Sequence, residues 1–221
     1  MAAAGIKSYV LRSGRMSDAQ KRSYENLAPR FCVPQDSEFD YEKCFGNSNP
    51  VIIEIGFGSG IATADIAEKN PEVNYLGIEV YRSGIGRLLW EIDKRGLTNI
   101  RIIEGDAAEV LSRLPQGKAE GFHIFFPDPW PKKRHHKRRL ITRPFTEEIA
   151  KCLKKQGYVY MVTDWADYAE WALAELSGTP GLVNRYEAFA PPQSWRPETR
   201  FEAKGLMKNH EIRELLFLRG E

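Results

Sequence analysis

The sequence predicts an α/β fold built on a mainly parallel sheet with helices on both faces. Two observations carry this. From residue 51 onward, short apolar runs alternate with amphipathic segments of roughly ten residues, the pattern of βαβ units. Carboxylates and glycines also fall just beyond the apolar runs, where parallel sheets bind their ligands.

Residues 1–48 are polar, basic and weakly periodic. They read as a basic, partly ordered N-terminal extension with one short helix over 18–27, ended before Pro29. Asn47-Ser48-Asn49-Pro50 marks the boundary, and 49–221 reads as the main domain. Strands are expected over 51–55, 75–80, 100–103, 121–126 and 157–162, with two more near 182–189 and 211–218. Helices are expected over 60–69, 84–95, 107–114, 144–153 and 166–176. Asn70-Pro71, Gly96 and Pro115 supply three of their stops. The stretch holding Pro191, Pro192 and Pro197 reads as a loop.

A chain of 221 residues has room for one α/β domain with a sizeable core. Its 42% hydrophobic and 28% charged content is that of an ordinary globular protein. The net charge of +2 hides a strong polarity. Residues 132–139 carry six cations, residues 1–30 a further net +4, and the other 183 residues about −8. Such focusing suits a polyanion that docks in one orientation. The three cysteines, Cys32, Cys44 and Cys152, have no metal-type spacing, so no metal is expected and each reads as a small semi-buried residue in a reducing compartment. With no signal-like start and no apolar run near the ~20 residues that span a bilayer, a soluble, cytoplasmic protein without membrane attachment is expected.

Charge and stiffness meet in Phe126-Pro127-Asp128-Pro129-Trp130-Pro131-Lys132-Lys133-Arg134-His135-His136-Lys137-Arg138-Arg139. The prolines forbid a helix there and hold Asp128 on a stiff loop after a buried strand. The cationic run reads either as a rail for nucleic-acid phosphates or as a solvated charge run. Trp130 reads either as a base-stacking platform or as a plug in the loop.

The first strand leads into Glu54-Ile55-Gly56-Phe57-Gly58-Ser59-Gly60. Its G-x-G-x-G spacing differs from the G-x-G-x-x-G that cradles a dinucleotide pyrophosphate. S-adenosylmethionine has no pyrophosphate and instead offers an ammonium, ribose hydroxyls and an adenine amino group. Glu54 suits the ammonium, Glu79 at the next strand end the ribose hydroxyls, and Asp106 at the third the adenine amino group. Asp106 suits an N-cap equally well, and Asp164 also stands where it can cap a helix. Three acids at three successive strand ends, with this glycine turn, favour a methyl-donor site over a nicotinamide site.

These segments together resemble the bacterial, single-chain tRNA (guanine-N7-)-methyltransferases. The resemblance rests on residues 54–60, Gly77-Ile78-Glu79-Val80, residues 125–139, Thr163-Asp164-Trp165, Thr199-Arg200-Phe201-Glu202-Ala203-Lys204-Gly205 and residues 12–20. It implies a Rossmann-like class I methyltransferase fold with a seven-stranded sheet. It further implies methyl transfer from S-adenosylmethionine to N7 of the variable-loop guanine, position 46, of tRNA, by a monomer or homodimer needing no protein partner. Donor contacts would come from Glu54, Gly56, Phe57, Gly58, Gly60, Glu79, Asp106 and Asp128, with Asp128 as the catalytic position. Lys132, Asp164, Thr199, Arg200, Phe201 and Glu202 would touch the substrate, and Arg134, His135, His136, Lys137, Arg138 and Arg139 the RNA. The rival readings are a methyltransferase acting on another RNA base and a non-catalytic RNA-binding protein of this fold.

Overall fold

The computed structural model describes residues 7–10, 16–34, 39–207 and 209–221, the side chains of Arg200, Phe201 and Lys204 excepted. Arg12 and Arg15 of the basic N-terminal segment therefore lie outside the described residues.

Seven strands form one sheet in the order β3-β2-β1-β4-β5-β7-β6. They are β1 (Val51–Ile55), β2 (Asn74–Glu79), β3 (Ile100–Glu104), β4 (Ala119–Phe125), β5 (Leu153–Thr163), β6 (Leu182–Asn184) and β7 (Arg213–Arg219). The first five pair in parallel, while β7 runs antiparallel between β5 and β6. Strand β1 has β2 on one side and β4 on the other, so the chain order reverses there and a crevice opens beyond the carboxyl end of β1.

Helices cover both faces because β1 and β2 are apolar on both. Ile53, Ile55, Leu76, Ile78, Phe122 and Ile124 meet α5 (Ala107–Leu111), α6 (Arg143–Cys152) and α7 (Ala166–Ser177). Ile52, Tyr75 and Ile102 meet α3 (Ile61–Lys69), α4 (Arg82–Arg95) and α1 (Asp18–Phe31). Two further short helices, α2 (Tyr41–Phe45) and α8 (Arg200–Leu206), complete the set.

Several elements differ from expectation: α2 was not anticipated, β5 begins at Leu153 where 157 was expected, and α5 ends at Leu111, short of the stop at Pro115. Helix α1 starts at a Ser17–Gln20 capping box but runs through Pro29 to Phe31. An interior proline costs a helix about 3 kcal/mol. Here it stands in the last turn, where buried Phe31 and the bond from Val33 N to Ile102 O (2.8 Å) tie the chain to β3. Strand β6 stops at Asn184, because Tyr186 N turns back to its side chain (3.2 Å). In the proline-rich loop, Thr199 and Glu202 form a capping box and start α8. All three thiols sit raised above their ordinary pKa, by burial first, as expected of structural cysteines.

Candidate functional site

The crevice floor is the turn after β1. Gly56, Gly58 and Gly60 all have positive φ (73°, 59° and 68°), so this turn demands glycine. A Cβ on Gly56 or Gly58 would meet nothing within 4 Å, which leaves an open cradle. Beneath it the packing is tight: a Cβ on Gly84 of α4 would lie 1.9 Å from the Gly58 carbonyl oxygen. Gly84 is thus as necessary to the turn as the motif glycines, and only its packing reveals it.

Two carboxylates flank the cradle. Glu79 accepts from Gly58 N (2.8 Å), Val80 N (2.7 Å) and Tyr81 N (3.0 Å), so it braces the glycine turn besides ending β2. Burial raises its pKa, these three amides oppose, and the charge of Asp128 adds to the rise. Glu54 is 2% exposed, and among the described residues its Oε2 has no hydrogen-bond partner. Burial pushes its carboxyl up to about 7, with nearby Thr63 opposing and Glu79 adding. An orphaned buried carboxylate oxygen beside an open cradle fits an ammonium-bearing ligand. Asp106 does cap α5, accepting from Ala108 N (3.1 Å) through Oδ1.

Asp128 is exposed on the loop after β4, within electrostatic reach of Glu79 and Tyr168. The loop is held on both sides. Phe126 and Trp130 adopt left-handed backbone (φ 49° and 47°), which costs a non-glycine residue about 1–2 kcal/mol. Phe126 N bonds Val162 O (2.8 Å), and Arg139 Nε donates to Pro129 O (3.1 Å).

The cationic run is divided by a short 3-10 helix, Lys133–Arg138. Lys132, Lys133, Arg134 and Lys137 are exposed, whereas His135 and His136 are half-buried. Arg139, expected to touch RNA, lies inward. It is 3% exposed, paired with Asp167 and set 5.1 Å from the rings of both Tyr168 and Trp171. Arg138 also turns inward, stacking 3.8 Å from the Trp130 ring centroid and donating to Lys7 O (3.0 Å) and Tyr9 O (2.7 Å). Trp130 is the plug of its two readings, since its indole N–H donates to Ser8 O (2.9 Å).

Across the mouth, Asp164 is no N-cap. Its Oδ2 lies 3.1 Å from His210 Nδ1, and a Cβ on Gly205 would sit 3.0 Å from it. Glu202 is gripped through both oxygens by Arg196, which also reaches Glu214 (3.0 Å) and Tyr160 (3.2 Å). Burial would raise the Glu202 carboxyl, but Arg196 and the Thr199 amide outweigh it and hold the pKa low. Nothing in the sequence pairs Arg196 with residues on distant strands. His123, 1% exposed and stacked 4.9 Å from Trp195, was likewise illegible, and burial drives its pKa down to about 3.

Comparisons with known proteins speak to the fold and the family. The family model described as "Putative methyltransferase" matches residues 48–215. The 16S rRNA methyltransferase KamB superposes with a TM-score of 0.59 at 14% identity, covering 95% of this chain and 97% of that one. A 16S rRNA (adenine(1408)-N(1))-methyltransferase from Catenulisporales acidiphilia, solved with its cosubstrate SAM, gives a TM-score of 0.56 at 12% identity, covering 84% and 93%. Fold and site define a class I, S-adenosylmethionine-dependent methyltransferase.

Among sequence relatives, the tRNA (guanine-N(7)-)-methyltransferase of Nitrosomonas eutropha is 47% identical, covering 97% of both chains. Those of Nitrosospira multiformis and Treponema pallidum are each 46% identical, over 96% and 97% of this chain and 93% and 96% of theirs. The chain belongs to the tRNA (guanine-N7-)-methyltransferase family.

Proposed function

We propose that this protein methylates N7 of the variable-loop guanine, position 46, of tRNA, in the cytoplasm and without an obligate protein partner. The observation that carries the reading is one mouth with three features: an open glycine cradle beside orphaned Glu54, exposed Asp128, and four exposed cations on the same loop. Among the described residues no helix is long and apolar enough to cross a membrane.

S-adenosylmethionine supplies an electrophilic methyl carbon on its sulfonium. Glu54 holds the ammonium, Gly56, Phe57, Gly58 and Gly60 give the close backbone surface, Glu79 accepts from the ribose, and Asp106 accepts from the adenine amino group. Guanine N7 carries a lone pair and no proton, so the protein needs no general base. Its residues act by alignment and electrostatics. Asp128 accepts from the guanine N–H edge and stabilises the positive charge that moves onto the ring. Asp164, Thr199 and Glu202 close the far side and Lys132 meets the target nucleotide, while Arg200 and Phe201, whose side chains lie outside the described structure, join them as substrate contacts by the family resemblance alone. Asp128→Asn and Asp128→Ala should each lower kcat/KM for tRNA by about one to two decades, the loss of a charge-assisted contact of about 1.5–3 kcal/mol. Normal kinetics in both variants would remove Asp128 from the mechanism.

Lys132, Lys133, Arg134 and Lys137 form the phosphate rail. Four neutralised phosphates give a slope of log K against log salt of about −3 to −4. Replacing Lys133, Arg134 and Lys137 with Ala should flatten that slope to about −1. An unchanged slope would make the run an ordinary solvated surface. The reading as a whole is tested by incubating labelled donor with unmodified tRNA, then mapping the mark by reduction and aniline scission. Scission at the variable-loop guanine is expected, and a labelled tRNA that resists scission would overturn the assignment to N7.

A further inference from the structure

We propose that Arg196 is a positioning residue that aims α8 at the substrate from the far side of the sheet, an inference that rests on α8 being a substrate-contact element. The loop carrying Arg196 lies over β5 and β7. Its guanidinium, whose side chain is 5% exposed, donates to Tyr160 OH of β5 (3.2 Å) and to Glu214 Oε1 of β7 (3.0 Å). Tyr160 in turn donates to Glu214 Oε2 (2.5 Å), which also accepts from Gln193 N (3.1 Å). Both strands belong to the central sheet and pair with each other, so this end of the network is rigid.

The other side of the same guanidinium grips both oxygens of Glu202, one at 2.8 Å. Glu202 is the third residue of α8 and half of its capping box with Thr199 (3.1 Å from Glu202 N to Thr199 Oγ1). At the far end of α8, Gly205 packs on Asp164, and its carbonyl accepts from His210 N (3.0 Å). The helix is thus strung between a guanidinium fixed to the sheet and the carboxylate at the mouth.

Apolar side chains would cover β5 and β7 at lower desolvation cost than a buried cation between buried Glu214 and half-buried Glu202. What such a network adds is direction. A planar fork with five N–H donors serves two carboxylates and a phenol at fixed angles, whereas an ammonium is a single point with rotatable donors. The arrangement therefore requires arginine and does not accept lysine.

The test compares Arg196→Lys, Arg196→Ala and Glu202→Gln for tRNA KM, kcat, calorimetric affinity for S-adenosylmethionine, and melting temperature. Both Arg196 variants should raise the KM for tRNA about tenfold or more while donor affinity stays within about twofold. A normal KM in Arg196→Lys overturns the proposal whatever Arg196→Ala does, because the fork would then be dispensable. Parallel loss of donor affinity also overturns it, since the network would be supporting the whole fold. A normal KM in Glu202→Gln also overturns it, because the grip on α8 would be idle; a normal KM in Arg200→Ala and Phe201→Ala, measured alongside, instead removes the reading of α8 as a substrate element, which separates the two failures.

Discussion

Glu54→Gln should weaken S-adenosylmethionine binding about a hundredfold at pH 8 and, in the donor-free protein, raise the melting temperature. Both effects have one cause. The Glu54 carboxyl is buried with an orphaned oxygen, and its pKa stands near 7 against 4.5 for the ordinary group. A raised acid pKa means that the folded chain holds a proton which the unfolded chain gives up between pH 4.5 and 7. Its contribution to stability is complete below about pH 4.5 and lost as pH rises through about 7. At pH 8 the ionised group costs the empty protein on the order of 3 kcal/mol. Glutamine keeps the shape and drops the charge, so melting should rise by several degrees at pH 8 and hardly at all at pH 4. The ammonium of the donor repays the wild-type cost when it binds. Wild-type donor affinity should therefore fall about tenfold per pH unit below 7, and the Gln variant should lose that slope. Calorimetry at pH 5.5, 6.5 and 8 reads both. Donor affinity independent of pH in the wild type would place the ammonium elsewhere.

Arg139→Ala should cost about 2–3 kcal/mol of stability and at least a decade in kcat/KM. Its side chain is 1% exposed, lies against Tyr168 and Trp171, and donates to the carbonyl of Pro129, next to Asp128. Removing it leaves a cavity and an unsatisfied carbonyl under a loop already strained at Phe126 and Trp130. Asp167, which it leaves behind, is 64% exposed and can turn to water, so the loss stays below that of a fully buried pair. Arg139→Ala should leave the salt slope of tRNA binding unchanged, unlike loss of Lys133, Arg134 and Lys137. A flattened slope in Arg139→Ala would return this residue to the phosphate rail.

The five parallel strands were legible because each carries a short, mostly apolar and largely buried stretch, as in Val51–Ile55, where Glu54 is the one polar residue and is itself buried. The glycine cradle was legible because positive φ at three alternating positions admits little else. The inward turn of Arg139 was not legible, because charge density in sequence says nothing of which cations turn inward. The sorting is done by Trp130, Asp167, Tyr168 and Trp171, three of them some thirty residues downstream. Helix α8 was hidden for a different reason. The Thr199-x-x-Glu202 capping box was present, but Pro191, Pro192 and Pro197 dominated the reading of that stretch. Pro29 misled in the opposite direction, since a proline in a last turn loses little once Phe31 is buried. Arg196, Tyr160 and Glu214 meet only when β7 slots beside β5, a contact that no local pattern encodes.

That slotting bears on biosynthesis. Strand β7 lies between two strands made before it, so a nascent chain emerging from the ribosome keeps β6 and one margin of β5 without neighbours until residues 213–219 have cleared the exit tunnel. A stalled or clipped product lacking them would bare sticky strand margins and would have no Glu214 to anchor Arg196. Seating of α8 against the sheet is thereby postponed until β7 has paired.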